Sequence, residues 1–286
     1  MYNDTSSLPL ITVLTPTFNR AYILPTAIKS VLAQTYQNFE YIIIDDGSTD
    51  NTEEIVRGFN DPRIKYILNS RTKGPSGARN TGMDKAKGAW ITFLDSDDEW
   101  YPNLLEVMLK HISQNPQTMF AIPRGKKTME LYENNILIKE IDTSNNYPET
   151  VDIHDIANKQ FRFDNIGLML SRKVIDDDIR FDEKEALGAL EDWEFALQLC
   201  ENYPRGLLYV KEKLFHYHQK YGTDGRVSND TYEKTATAFE YVYQKHKNHP
   251  LLKGQTWYPE RVKKYTKLQE DFKLGKAPPK YLLPFT

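Results

Sequence analysis

The chain has 286 residues, 40% of them hydrophobic and 27% charged, as expected for a globular protein of one large domain or two small ones. A formal net charge of −3 argues against a nucleic-acid binder, which is usually basic. The single cysteine, Cys200, excludes an internal disulfide framework and suits a reducing compartment.

The residues before Leu10 hold no basic region followed by an apolar stretch, so no signal peptide is expected. No apolar run approaches the roughly 18–20 residues that span a bilayer. LITVLT, from Leu10 to Thr15, reads as a first strand closed by Pro16. Ala27, Ile28, Val31 and Leu32 then fall on one helical face. FEYIIID is a second strand, ending at Asp45 and Asp46, and Gly47 permits a sharp turn with positive φ. Ser48, Thr49 and Asp50 offer capping side chains to a helix through Ile55, Val56 and Phe59. IKYIL is a third strand, followed by a loop and helix with Arg71, Lys73, Gly74, Gly77, Arg79 and Gly82. WITFL is a fourth, ending in LDSDDEW with Asp95, Asp97 and Asp98. Strands separated by helices imply parallel βαβ units, and the lack of polar alternation implies strands covered on both faces.

After residue 100 the pattern changes. A helix is expected from Pro102 to Asn115, then a strand at MFAIP, a hairpin around Asn134 and Asn135, and a mixed stretch, FRFDNIGLMLSR. Another helix is expected from Glu191 to Cys200, a last strand at GLLYVKEKLFHYH, and two helices over residues 231–246 and 257–272. The end of the chain is basic. From Thr231 to Thr286 there are eleven Lys or Arg against five Asp or Glu, interleaved with Trp257, Tyr258, Tyr265, Phe272 and Tyr281. Such an end could dock on anionic lipid, or pack on the domain or on a second subunit.

Ligands of open α/β sheets bind at the carboxyl ends of the strands. Singly, each charged cluster at those ends has a plain explanation: Asp-Gly-Ser is a common turn, and a surface Asp-x-Asp is usually solvated acid. Jointly, they supply carboxylates for a hard cation and cationic groups for phosphate. GPSGARNTG is no P-loop, since no Gly-Lys-Ser/Thr ends it. TPTFNR stands where a dinucleotide-binding dehydrogenase would carry GxGxxG, which excludes that class.

The motifs TPTFNR, SVLAQTYQNFEYIIIDDGSTD, GARNTG and FLDSDDEW resemble the family 2 glycosyltransferases of GT-A fold, which use nucleotide-diphosphate sugars. The resemblance spans residues 10–200. It implies a mostly parallel central sheet flanked by helices over residues 1–228, with a nucleotide-sugar half to about residue 100, an acceptor half to 228 and a helical extension over 229–286. Pro16, Thr17 and Phe18 would line the base pocket, with Arg20 near it. Asp46 would accept a ring N–H such as that of uracil. Asp95 and Ser96 would meet the ribose or sugar, and Arg79 would help hold the nucleotide. Asp97 would ligate Mn²⁺ or Mg²⁺, joined by His218 or His216. The family's frequent Tyr-Arg pattern is replaced there by Tyr217-His218.

Asp192, in GALEDWEF, would be the catalytic base of an inverting displacement, with Glu191 next to it. Trp100 and Trp193 border the pocket or pack in the core. The implied partners are a UDP-sugar donor and a carbohydrate, glycolipid or glycoprotein acceptor, with no nucleic acid. The expected location is cytoplasmic, with peripheral contact at the inner membrane face, or oligomerisation through the C-terminal extension, left open. An aspartyl phosphatase or mutase also uses Asp-x-Asp, but Glu99 stands where the family pattern would put Thr or Val. A catalytically weak nucleotide-sugar or glycan binding module on the same fold is the alternative.

Overall fold

The computed structural model describes residues 8–133, 136–142, 148–158, 161, 163–184, 190–222, 232–253 and 257–277. Its centre is a nine-stranded sheet. The first four strands, β1 (Ile11–Thr17), β2 (Phe39–Asp45), β3 (Ile64–Leu68) and β4 (Trp90–Phe93), lie in the order β3-β2-β1-β4 and are all parallel. Helices α1 (Leu24–Leu32), α2 (Thr52–Gly58) and α3 (Pro75–Lys85) connect them. β2 is buried along its whole length. Its side chains alternate between the faces. Ile42 and Ile44 join one core with Ala78 and Met83 of α3, while Tyr41 and Ile43 join the other with Ala27, Ile28 and Val31 of α1. β3, at the sheet edge, is only half buried, unlike the covered strand that its apolar run suggests.

α3 lies close against β1 and β2 because Gly82 has no side chain. A Cβ there would stand 2.8 Å from Ile44 Cδ1 and 2.9 Å from Leu14 Cδ2, well inside van der Waals contact.

Beyond β4 the sheet becomes mixed. β5 (Glu99–Trp100), α4 (Leu104–Gln114), β6 (Phe120–Glu133), β7 (Ile136–Asp142), α5 (Ile153–Ala157), β8 (Met169–Ser171), α6 (Arg172–Asp176), α7 (Glu191–Asn202) and β9 (Leu207–Gly222) follow in sequence. β8 runs antiparallel to β4 and β6, and β9 runs parallel to β6 and antiparallel to β5. β6 and β7 pair antiparallel as the expected hairpin requires; its turn at Asn134 and Asn135 lies outside the described residues.

The C-terminal helices α8 (Tyr232–His246) and α9 (Trp257–Lys273) share a core with the sheet domain. Phe239, Val242 and Tyr258 are buried with Trp193 and Phe195 of α7. Trp193 stacks on Tyr258 at 5.4 Å, and its indole N–H donates to the Ile156 carbonyl at 2.8 Å. Trp193 and the equally buried Trp100 are core residues.

Candidate functional site

The parallel strands β1, β2 and β4 deliver their carboxyl ends to one edge of the sheet, and the loops there are cross-tied. Asn19, at φ 52°, donates its N–H to Ser48 Oγ at 2.8 Å and accepts from the Thr49 N–H at 2.7 Å. Asp50 accepts from the Ala21 and Thr52 N–H groups, each at 3.1 Å. None of the three expected capping residues is the N-cap of α2, which is Asn51 without a side-chain cap bond; Asp50 reaches the first helical N–H from one position earlier, and all three tie the first loop to the second. Asp45 is buried and takes the Ser48 N–H at 2.8 Å, the Ser48 hydroxyl at 2.7 Å and the Tyr66 hydroxyl. It holds the turn.

Asp46 stands one residue further and is only partly buried. Its Oδ1 accepts from Asn69 Nδ2 at 2.6 Å and its Oδ2 from the Gly74 N–H at 2.8 Å. A carboxylate offers about four acceptor positions, so two bonds orient Asp46 without saturating it. Phe18, 41% exposed, lies nearby with Lys73 Nζ 4.4 Å from its ring centroid. Pro16 is half-buried, and the buried Thr17 hydroxyl has no hydrogen-bond partner. Arg20 lies 3.9 Å from Asp97 and donates to the Tyr22 hydroxyl at 2.9 Å.

Arg79 of α3 gathers the remaining groups. Its buried guanidinium donates to Asp95 Oδ1 at 2.8 Å and to Asp192 Oδ1 at 3.2 Å, and lies 3.8 Å from Glu191 Oε1. Burial alone would lower the Arg79 pKa, but Asp95, Asp192 and Glu191 outweigh it and raise it. Asp192, in the first turn of α7, also accepts a hydrogen bond from Asn165 Nδ2. Burial and the neighbouring Asp192 push Glu191 up to about 8, and Glu191 Oε2 is buried without a hydrogen-bond partner. Arg71, by contrast, is spent on Asp84 and Glu183, at 2.8 and 3.2 Å.

The acidic loop after β4 alternates in exposure: Asp95 and Asp97 are partly exposed, Ser96 and Asp98 buried. Burial, with Asp97 and Asp95 beside it, raises the Asp98 pKa well above the carboxylate range. Asp98 Oδ1 accepts the His218 N–H at 3.0 Å, and its Oδ2 has no hydrogen-bond partner. This ties β9 to the acidic loop. The His218 ring pairs through Nδ1 with Glu130 at 2.7 Å, and its centroid lies 3.8 Å from that of His216. His216 bonds Thr128 at 2.8 Å; burial and His218 hold it down to about 4.

Among the described residues no group of three or more His, Cys, Asp or Glu is arranged to hold a metal ion. A cation shared with a diphosphate needs fewer protein ligands, and the acidic loop, with the partly exposed carboxylates of Asp95 and Asp97, has the donor chemistry for one.

The structure thus brings Asp95, Asp192 and Arg79 into one hydrogen-bonded group, Arg20 to Asp97, and His218 to the same acidic loop. Sequence reading missed Asn165, Glu130 and Lys73's place over Phe18. Asn165 and Glu130 reach the site from the mixed half of the sheet, where no strand-end motif marks them.

The chain is similar to several known proteins. WfgD of Escherichia coli, a UDP-Glc:alpha-D-GlcNAc-diphosphoundecaprenol beta-1,3-glucosyltransferase, is 43% identical over 106 residues, covering 37% of this chain and 42% of the relative. A GalNAc(5)-diNAcBac-PP-undecaprenol beta-1,3-glucosyltransferase of Campylobacter jejuni is 40% identical over 117 residues, covering 40% of this chain and 38% of that one. The matched part is thus about two fifths of the length of these relatives. S. aureus TarS 1–349 in complex with UDP-GlcNAc superposes with a TM-score of 0.65 at 19% identity, covering 90% of this chain and 71% of that one. The mannosyltransferase PcManGT of Pyrobaculum calidifontis, in complex with GDP-Man and Mn²⁺, gives 0.63 at 17% identity, covering 99% and 80%. These likenesses establish the GT-A fold, with its central sheet, flanking helices and helical C-terminal part. The model of glycosyl transferase family 2 matches residues 12–179, more than half of the 286, and the chain belongs to that family.

Proposed function

We propose that the chain transfers a sugar from a UDP-sugar to a hydroxyl of a glycan carried on a lipid diphosphate, by a single displacement that inverts the anomeric carbon. The carrying observation is the Arg79 group, in which one guanidinium fixes Asp95 and Asp192 side by side. Residues to about 100 form the donor side, and residues 101–228 the acceptor side. Asp46 accepts the ring N–H of uracil, Pro16, Thr17 and Phe18 line the base pocket with Arg20 at its rim, and Asp95 and Ser96 meet the ribose or sugar. Asp192 takes the proton of the acceptor hydroxyl while that oxygen bonds to the anomeric carbon. The bond from the same carbon to the diphosphate breaks, and UDP leaves with its electron pair.

Asp97 and His218 would hold Mn²⁺ or Mg²⁺, which supplies Lewis-acid stabilisation of the leaving diphosphate when bound. The Glu130 contact to His218 Nδ1 supports this, because such a contact orients the other ring nitrogen as a ligand. A lipid-linked acceptor is favoured by the printed activities of the two relatives, and we place the exposed basic face of α9 against anionic lipid. The competing reading is a glycan-binding module without turnover. Screening UDP- and GDP-sugars, with and without Mn²⁺, on undecaprenol-diphosphate-linked N-acetylglucosamine and with water as the acceptor tests the proposal. Metal-dependent UDP release is expected, and donor binding without turnover on any donor would favour the module.

A further inference from the structure

We infer that Asn165 is a positioning residue, whose side-chain amide fixes the rotation of the Asp192 carboxylate. The inference rests on Asp192 being the base. Asn165 sits in the loop between α5 and β8, and that loop is pinned on three sides. Ile166 bridges to Phe93 at the end of β4, and the Gly167 N–H donates to the Phe93 carbonyl at 2.8 Å. Gly167 has φ +72°, and a Cβ there would lie 2.8 Å from Pro123 Cγ. The Leu168 N–H closes the turn on the Asn165 carbonyl at 3.0 Å. Asn165 is therefore delivered by backbone that has little room to move, one residue from the bridge to the end of β4, the strand that Asp95 follows.

The side chain is 1% exposed. Its Oδ1 has no hydrogen-bond partner, and its Nδ2 donates to Asp192 Oδ1. Burying an amide with half its bonding capacity unmet is unfavourable, and a residue kept only for packing could be apolar. The geometry explains what the amide does. Arg79 Nη1 reaches the same Asp192 oxygen at 3.2 Å, so two donors, one from α3 and one from the loop before β8, converge on Oδ1. Rotation about the last side-chain bond would break both. The carboxylate is held in one orientation on Arg79, whose guanidinium also carries Asp95 and Glu191. A base fixed in this way needs no reorganisation when the acceptor arrives.

Two variants in the full chain separate positioning from packing. Asn165→Ala removes the donor, and Asn165→Asp keeps the shape but turns an acceptor toward Asp192. With UDP-glucose and Mn²⁺, kcat for UDP release should fall about 10- to 100-fold in Asn165→Ala, the worth of a hydrogen bond to a charged group. Asn165→Asp should fall further. The donor KM and the calorimetric UDP affinity should stay within about twofold, and in an Asp192→Asn background Asn165→Ala should cost nothing more, since coupled residues are not additive.

A second readout needs no turnover. In carbon-13 spectra the Asp192 carboxyl signal, assigned by its loss in Asp192→Asn, should titrate at higher pH in Asn165→Ala, because the lost bond favoured the charged form. An unchanged midpoint overturns the inference. So does an unchanged kcat in an enzyme that Asp192→Asn inactivates. Near wild-type turnover by Asp192→Asn would instead remove the base assignment beneath it.

Discussion

Arg79 compensates more negative charge than one cation can balance. Three carboxylates, Asp95, Asp192 and Glu191, lie within 3.8 Å of its guanidinium, and burial with Asp192 beside it favours the protonated form of Glu191. Its value of about 8 lies above the ordinary 4.5, so the folded protein holds the proton more tightly than the unfolded chain does. That contribution is complete below about pH 4.5 and is lost as the pH rises through about 8. Glu191→Gln, neutral throughout, should match the parent protein near pH 5 and exceed its stability at pH 9 by about 1–3 kcal/mol. Urea melts at the two pH values decide this, and a difference that does not grow with pH would show Glu191 ionised in the fold. The same group predicts a split in kinetics. Asp192→Asn should lose about 10²- to 10⁴-fold in transfer with UDP and metal binding nearly intact. Asp97→Ala should lose turnover and calorimetric UDP affinity together, and metal-independent UDP binding in the parent protein would remove the Asp97 assignment. Asp45 and Asp46 show why adjacent residues cannot be told apart by spacing. Both end the same strand, yet Ser48 and Tyr66 consume Asp45, and only Asp46 retains acceptor positions on the site.

Helix α7 joins the chemistry to the C-terminal helices. Asp192 lies on its first turn, and Glu194, fully buried two residues on, accepts from Gln198 of α7 at 2.9 and 3.1 Å and is paired by two residues of α8. Lys245 Nζ lies 2.6 Å from Glu194 and 2.6 Å from Asp182, and His246 Nε2 lies 3.1 Å from Glu194. Burial disfavours charge on His246, but Glu194 and Glu201 outweigh it and raise its pKa. Removing one partner of a fully enclosed ion pair costs about 3–5 kcal/mol. Lys245 is 34% exposed, so Lys245→Met should cost less, about 2 kcal/mol, in a urea melt. Glu194→Gln added to that variant should restore part of the loss. If the double variant is no more stable than Lys245→Met, the penalty comes from packing and not from an uncompensated Glu194. The helices themselves were legible from apolar spacing, but this contact was not, because nothing in the spacing pairs Glu194 with a residue some fifty positions away. β6 was legible only in part. MFAIP marks its start, whereas Arg124, Lys126 and Lys127 break the apolar pattern over a strand that runs on to Glu133. Gly125 belongs inside it because a Cβ there would lie 2.3 Å from the Phe215 ring.

On the scale of the whole molecule, the sequence is readable where strands are covered on both faces and opaque where they are not. β1, β2 and β4 announce themselves as apolar runs, and the acids after β2 and β4 mark the proposed donor side. The mixed half, with Glu130 and Asn165, has no such signature, since its strands pair in both directions with neighbours far apart in sequence, β6 parallel to β9 and β8 antiparallel to β4. The C-terminal pair was readable as helices, with its docking left open. Trp193 stacked on Tyr258 at 5.4 Å and tilted against Phe239 at 6.0 Å now show that it packs on the chain itself. Deleting residues 231–286 would uncover that core, so lipid binding has to be tested on surface charge instead. Lys263, Lys264 and Lys267 of α9 are exposed, as are Phe272 and Leu274 near its end. None of the helices among the described residues is long and apolar enough to cross a membrane, and this surface is the one proposed above to lie against lipid. A basic residue close to an anionic bilayer contributes about 1 kcal/mol, so three contribute roughly 100-fold in partitioning. The full chain should therefore float with vesicles containing phosphatidylglycerol and not with phosphatidylcholine alone. Changing Lys263, Lys264 and Lys267 to Glu should abolish flotation while leaving the melting temperature and UDP affinity unchanged. If parent and variant float equally, or neither floats, the basic face of α9 is a solvated surface and the acceptor is met without it.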